Sequence, residues 1–350
     1  MAEQVEPRRS PTPFHSLFWY SVNTVRRTLR HATKNANRMR RHAYHRARYT
    51  SAGRAALAVS DVLASPGDAL QRRKAVNAYN RQHPTSRMDR ADGYALVDAA
   101  RLPGVDAIVP LAVALFEEKK RQLETGPSSE MHAKKWAFMR SVLTNTDLYQ
   151  HPQLVDFALS DDLLSLVTNY LGTIPHLNRV DLLYSVAHGG EDAISSQIYH
   201  LDPEGRRQAK LFLNLRDVGP DEGPFTFIPA AETTRIVNAV KERRSADEDM
   251  QMARYLDSEL AAVNGFEKAI SVMGGPGSGV LVDTSRCLHF GSRVKPGTYR
   301  LCLYIQYCSS REHGNLFDVA RYERDQVRHL ATVNSKRAAT SGVFAPHQMG

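Results

Sequence analysis

The sequence predicts an α+β fold with a mainly β core. A β-sandwich or jelly-roll barrel fills the C-terminal half, with flanking N-terminal helices and one helical insertion. Three observations predict this. Between residues 93 and 175 the apolar positions recur at helical spacing. After residue 180 the period shortens to seven strand-like runs: "DLLYSVA", "SSQIYH", "AKLFLNLRD", "PFTFIP", "AISVMG", "GVLVD" and "TYRLCLYIQY". Gly and Pro punctuate them, as in antiparallel sandwiches and barrels rather than a parallel βαβ sheet.

The elements follow in order. Residues 1–54 form a basic extension. Pro7, Pro11 and Pro13 open it, and "FHSLFWYSVNTVRRTLRHATKNANRMRRHAYHRAR" continues it. Val22, Val25 and Leu29 fall at near-helical spacing among Arg26, Arg27 and Arg30, a basic amphipathic pattern. Residues 55–180 are expected to be a mainly helical flank packed on the barrel. "DGYALVDAARLPG" makes a short strand and a turn. "VDAIVPLAVALFEEKKRQLE" makes a helix in which Pro110 sits in the first turn or kinks the axis. "HPQLVDFALSDDLLSLVTNYLG" makes a further helix closed by Gly172. Residues 181–310 are the barrel, interrupted by the helical insertion 231–266. There Ser245 and Glu248 read as a capping box for a helix ending near Gly265. Residues 311–350 form a tail.

Charge separates the extension from the body. Residues 1–54 hold 12 Lys/Arg against Glu3 and Glu6, leaving 34 basic and 35 acidic residues for the remainder. The excess charge of +9 is therefore confined to the extension. Residues 14–54 are expected to dock on the body or to contact a membrane surface peripherally. No groove-reading or base-stacking module accompanies them, which argues against a nucleic acid partner. No apolar run approaches the roughly 18–20 residues of a membrane span. Three cysteines, Cys287, Cys302 and Cys308, form no disulfide framework, and a reducing, cytoplasmic setting is the expectation.

The chemistry concentrates in two stretches. "SSQIYHLDPEG" carries His200 and Asp202 at the end of a strand-like run. "DTSRCLHFGSR" carries His289 between two such runs, where a ligand from the opposite sheet would lie. Two imidazoles and one carboxylate are the ligand set of a facial-triad non-haem iron site, which leaves three positions of an octahedral ion open. Eleven residues after His289 comes Arg300 in "TYRLCLYIQY". Alternation puts Leu301, Leu303 and Ile305 on one face, and Arg300, Cys302, Tyr304 and Gln306 on the other. A buried Arg on that polar face calls for a carboxylate partner.

The stretches "YHLDPEGRRQAKLFLNLRDVGPDEGPFTFIPA" and "GSGVLVDTSRCLHFGSRVKPGTYRLCLYIQY" resemble the phytanoyl-CoA dioxygenase-like family of Fe(II)/2-oxoglutarate-dependent oxygenases. The resemblance extends more loosely over residues 90–310. It implies a double-stranded β-helix, or jelly roll, with His200, Asp202 and His289 as Fe(II) ligands. It also implies that Arg300 binds the far carboxylate of 2-oxoglutarate, and that O2 oxidises a small-molecule or lipid-like substrate with release of succinate and CO2. Because Asp202 is present, hydroxylation or desaturation is implied rather than halogenation. After Pro229 the family often continues Gly-Ser-His, where this chain has Ala230, Ala231 and Glu232, so no substrate carries over.

Further candidates each have a plainer alternative. Arg293 is a co-substrate contact or pairs with a local acid. Asn214, on a strand face with Lys210 and Phe212, hydrogen-bonds 2-oxoglutarate or packs in the sheet. Tyr304 and Gln306 line the pocket or are satisfied barrel residues. Asp283 and Ser285 orient His289 through its second nitrogen. Cys287 reads as a small buried hydrophobe, His188 as a loop residue, and His31, His42 and His45 as part of the basic extension. The competing class is a non-catalytic jelly-roll binding protein tethered to a membrane or polyanion by residues 1–54.

Overall fold

A computed structural model describes residues 65–333 apart from 84–86, 126–136, 189, 191–192, 203–206, 245–253 and 311–313, together with 56, 59, 62 and 63. The basic extension, the Ser245 capping box and half of the tail (311–313 and 334–350) lie outside the described residues. Two compact units, Met1–Leu57 and Ala58–Gly350, divide the chain, and Pro66 onward lies in the second. No helix among the described residues is long and apolar enough to cross a membrane.

Helix α1 (Pro66–Gln82) begins with Pro at its first position, where a missing N–H costs no helical hydrogen bond. It buries Arg72, Ala75, Val76 and Tyr79, a stripe at helical spacing. Strand β1 (Tyr94–Val97) follows, then α2 (Val105–Thr125). Pro110 lies inside α2, in the second turn rather than the first, and the helix runs through it. After β2 (Met139–Ser141) comes α3 (Asn145–Gln150), closed at its start by a reciprocal Thr144–Asp147 capping box. The single helix expected over 151–172 is two: α4 (Gln153–Ala158) and α5 (Asp161–Leu171). Ser160 takes an extended conformation (φ −60°, ψ 149°) and breaks the helical run before the two acids that start α5. Gly172 (φ +69°) closes α5 as anticipated.

The strands come next: β3 (His176–Val186), β4 (Tyr199–His200), β5 (Gln208–Asn214) and β6 (Phe225–Ile228). Helix α6 (Ala230–Arg243) then opens the insertion. Its later part departs from the expected single helix: β7 (Arg254–Tyr255) pairs with β4, and only a five-residue helix α7 (Asp257–Ala261) follows. Pairing with the open edge of β4 satisfies the backbone there. Strands β8 (Ile270–Val272), β9 (Gly279–Val282), β10 (Leu288–Phe290) and β11 (Tyr299–Cys308) complete the sheets, and α8 (Gln326–Thr332) returns to the helical layer.

Two antiparallel sheets result, ordered β1-β9-β5-β11-β3-β2 and β7-β4-β10-β6-β8. From β3 to β6 the chain alternates between them, and from β8 to β11 it does so again, so the strands wind around a shared interior. Leu301, Leu303 and Ile305 of β11 face the helices, with Leu163, Leu164 and Phe116. Each such fully buried leucine contributes about 2 kcal/mol. Cys302 and Tyr304 face the other way, into the inter-sheet interior with Phe212, Phe225 and Phe227. Phe212 of one sheet stacks on Phe225 of the other, ring centroids 4.1 Å apart. A third cluster, with Leu288, Ile236, Val237 and Leu260, seals the outer face of the five-stranded sheet under α6 and α7.

Candidate metal centre

His200 and His289 sit directly opposite each other on β4 and β10. The expectation of ligands from opposite sheets is therefore corrected: both imidazoles come from neighbouring strands of one sheet. Strand β10 is three residues long, too short to announce itself by alternation. Leu288 and Phe290 pack on the outer face, so the intervening His289 turns inward. Asp202 follows His200 by two positions and shares its face, and its backbone N–H donates to the Thr284 carbonyl at 2.9 Å.

The imidazole rings lie 4.3 Å apart between centroids. His200 Nδ1 is 2.8 Å from the Ile198 carbonyl, and His289 Nδ1 is 2.9 Å from the Cys287 carbonyl. A carbonyl can only accept, so each Nδ1 carries the proton and each Nε2 presents a lone pair. Those Nε2 atoms lie 3.6 Å and 3.4 Å from Asp202 Oδ1 and Oδ2. The three ligand atoms fall within 4.8 Å of one another, close enough to share one metal ion. Burial and the neighbouring His289 push His200 down to about 4, against the pull of Asp202. Burial alone would raise the Asp202 carboxyl, but Lys210, then His289 and His200, hold it well below the usual carboxylate range. The site thus favours a neutral His200 beside an ionised Asp202, as a metal-ligand set requires.

Lys210 is the site residue that the motifs did not single out. Its Nζ is 2.6 Å from Asp202 Oδ2. The strand face it shares with Asn214 and Phe212 is legible in the sequence, but the reach across to the other sheet is not.

Arg300 is buried, 2% exposed, on the inward face of β11. Nη1 donates to the Gly223 carbonyl at 2.9 Å, and Nη2 approaches Cys302 Sγ at 3.6 Å. Nε is buried without a partner, and no carboxylate among the described residues pairs with the guanidinium. Beside it Gly291 carries no side chain; a methyl there would lie 3.5 Å from Nη1. A buried cation with an orphaned donor and no side chain on the neighbouring Gly291 suits an incoming carboxylate.

The other expected contacts go elsewhere. Arg293 pairs bidentately with Asp257 (2.7 and 2.8 Å) and stacks on Phe290, on the face of β10 opposite His289. Its charge is met by that local acid, the plainer of the two readings of this residue. The Asn214 amide directs Nδ2 toward the Val272 carbonyl and Ser278 Oγ at 3.4 and 3.5 Å, which is sheet packing. Asp283 accepts from Tyr170 and Ser285 and does not orient His289, whose second nitrogen uses the Cys287 carbonyl. Tyr304 is buried between Lys210 and Arg179, each near 6 Å from its ring (5.8 and 5.9 Å). Gln306 links Asn178 to Gln208 in a chain of amides, both bonds 2.9 Å. Cys287 is fully buried, and His188 caps its own loop through Gly190 N–H.

No family model matches the chain, and no curated protein matches it. Among solved structures it is similar to the epimerase SnoN in complex with Fe3+, alpha ketoglutarate and nogalamycin RO (TM-score 0.41, 16% identity, 67% of this chain and 84% of that one). It is also similar to EctD from S. alaskensis with 2-oxoglutarate and 5-hydroxyectoine (TM-score 0.42, 15% identity, 62% and 72%). A third is HygX from Streptomyces hygroscopicus with nickel and 2-oxoglutarate bound (TM-score 0.39, 16% identity, 62% and 83%). Likeness this distant assigns no activity to the chain.

Proposed function

We propose that this chain is an Fe(II)/2-oxoglutarate-dependent dioxygenase on a double-stranded β-helix, hydroxylating a small-molecule or lipid-like substrate. One observation carries the reading: two imidazoles with fixed tautomers and one ionised carboxylate converge inside the inter-sheet space. The winding of the strands between two antiparallel sheets supports the jelly-roll architecture. When bound, Fe(II) and 2-oxoglutarate supply the oxidation of a C–H bond by O2, with succinate and CO2 as co-products.

The chain's own residues would do the rest. His200 and His289 hold the ion through Nε2, and Asp202 neutralises part of its charge. Arg300 receives the far carboxylate of 2-oxoglutarate in a charge-assisted pair, because its guanidinium is otherwise short of an anionic partner. Phe225, with its ring 5.4 Å from that of His289, and Phe227 keep water from that side.

The test is anaerobic addition of Fe(II) and 2-oxoglutarate. A weak metal-to-ligand charge-transfer band is expected in the visible region, lost in His200→Ala. Arg300→Ala should weaken 2-oxoglutarate binding about 10- to 100-fold, the loss of one buried charged pair, while metal affinity stays. No band together with no succinate formed by the wild type would sink the reading.

A further inference from the structure

We propose that Lys210 is a positioning residue for Asp202. Its ammonium holds Oδ2, so that the carboxylate offers a metal ion one oxygen rather than two. The inference rests on the oxygenase reading and deepens it.

The sheet fixes where Lys210 starts. It lies on the inward face of β5, in register with Gln306 of β11 on one side and Val282 of β9 on the other. Its side chain is buried, and Tyr304 on the same face lies 5.8 Å from the ammonium, which restricts its swing. From there Nζ crosses the interior to Asp202 Oδ2 at 2.6 Å, linking the six-stranded sheet to a ligand of the five-stranded one. Asp202 itself sits just beyond the end of β4, where its side chain has more freedom than a residue within a ladder.

Coordination arithmetic gives this contact its purpose. Two imidazoles and a two-oxygen carboxylate would fill four of six octahedral positions and leave two. A chelating co-substrate and dioxygen together need three. An ammonium held on Oδ2 biases the carboxylate to a single metal contact and keeps the third position open. Without an ion, the same ammonium is the cationic partner of a largely enclosed carboxylate, at 2.6 Å. Lys210 therefore prepares the site before the metal arrives and sets the ligand count afterwards.

The experiment uses the full chain, Co(II) as the probe metal, and 2-oxoglutarate. Calorimetry gives both affinities, the visible Co(II) spectrum reports coordination number, and thermal unfolding is followed with and without metal. Wild type and Lys210→Arg are expected to bind Co(II) and then 2-oxoglutarate with similar Kd. Lys210→Met should still bind Co(II), with an altered visible band and a 2-oxoglutarate Kd raised tenfold or more. Metal should also raise the Tm of Lys210→Met more than that of wild type. Lys210→Gln replaces Met if the latter does not fold. A Met or Gln variant with the wild-type band and wild-type 2-oxoglutarate Kd overturns the proposal. Failure of the wider reading looks different: the wild type binds no Co(II), or His200→Ala binds it equally well, and both proposals then fall.

Discussion

Two backbone carbonyls, those of Ile198 and Cys287, decide what His200 and His289 can do. By accepting from Nδ1 they aim each Nε2 at the same point before any ion is present. The same burial gives the metal-free protein an acid weakness. His200 is held near pH 4 in the fold against an unfolded value of 6.5. Its folded value is depressed, so its contribution is intact above pH 6.5 and is lost as pH falls toward 4, at an order-of-magnitude cost of about 3 kcal/mol. Asp202, also depressed, pushes in the same direction at lower pH. Urea unfolding of metal-free wild type between pH 7 and 4 should show this slope, reduced in His200→Gln; equal slopes would refute the assignment. At this scale the sequence was largely readable. His-x-Asp, the distant His and the Arg eleven residues on are local patterns. Lys210 was not readable as a partner of Asp202, because that contact crosses between sheets and follows from no spacing along the chain.

At the scale of elements, the turn before β6 matters more than its length suggests. Gly223 has φ +67°, and a Cβ there would come within 2.7–2.8 Å of the Arg293 and Val294 backbone. Its carbonyl is the acceptor that fixes Arg300 Nη1. Gly223→Ala is therefore expected to cost roughly 1–3 kcal/mol of stability. It should also weaken 2-oxoglutarate binding severalfold by shifting the Arg300 acceptor. Thermal unfolding and calorimetry check the two effects separately, and unchanged 2-oxoglutarate affinity in a destabilised variant would remove the positioning role. The elements that eluded the sequence share one cause. Strand β10 has three residues and β7 two, which is below the length at which a period can be counted. The split between α4 and α5 turns on the backbone of Ser160, because apolar residues at helical spacing resume at Leu163 beyond the polar Ser160–Asp162 step.

Across the described residues, a buried guanidinium helps tie the helical layer to the sheets. Arg72 of α1 donates to the carbonyls of Ile174 and Pro175, at the entry to β3, and of Leu330 in α8 (3.0, 3.2 and 2.7 Å), while its Nε meets Asp68 at 3.0 Å. Arg72→Met keeps the volume but leaves these acceptors unpaired, at about 3–5 kcal/mol. Chemical denaturation should show that loss, and a change under about 1 kcal/mol would mean the clamp is dispensable. The class of fold was legible because seven runs and their punctuation survive as local signals. The four-layer order of helices, sheet, sheet and outer helices was not, since it depends on which strand pairs with which.

That ladder pairing has an engineering consequence. His200 and His289 are cross-strand partners, so their separation is dictated by the hydrogen-bonded rungs between β4 and β10 and is indifferent to how much chain intervenes. The connection carrying α6 and α7 can vary in length with the two imidazoles still in register wherever β7 stays paired with β4 and the helices stay packed on Leu288. On the oxygenase reading proposed above, differences in substrate would reside in the variable parts of that connection, and the paired imidazoles would stay put.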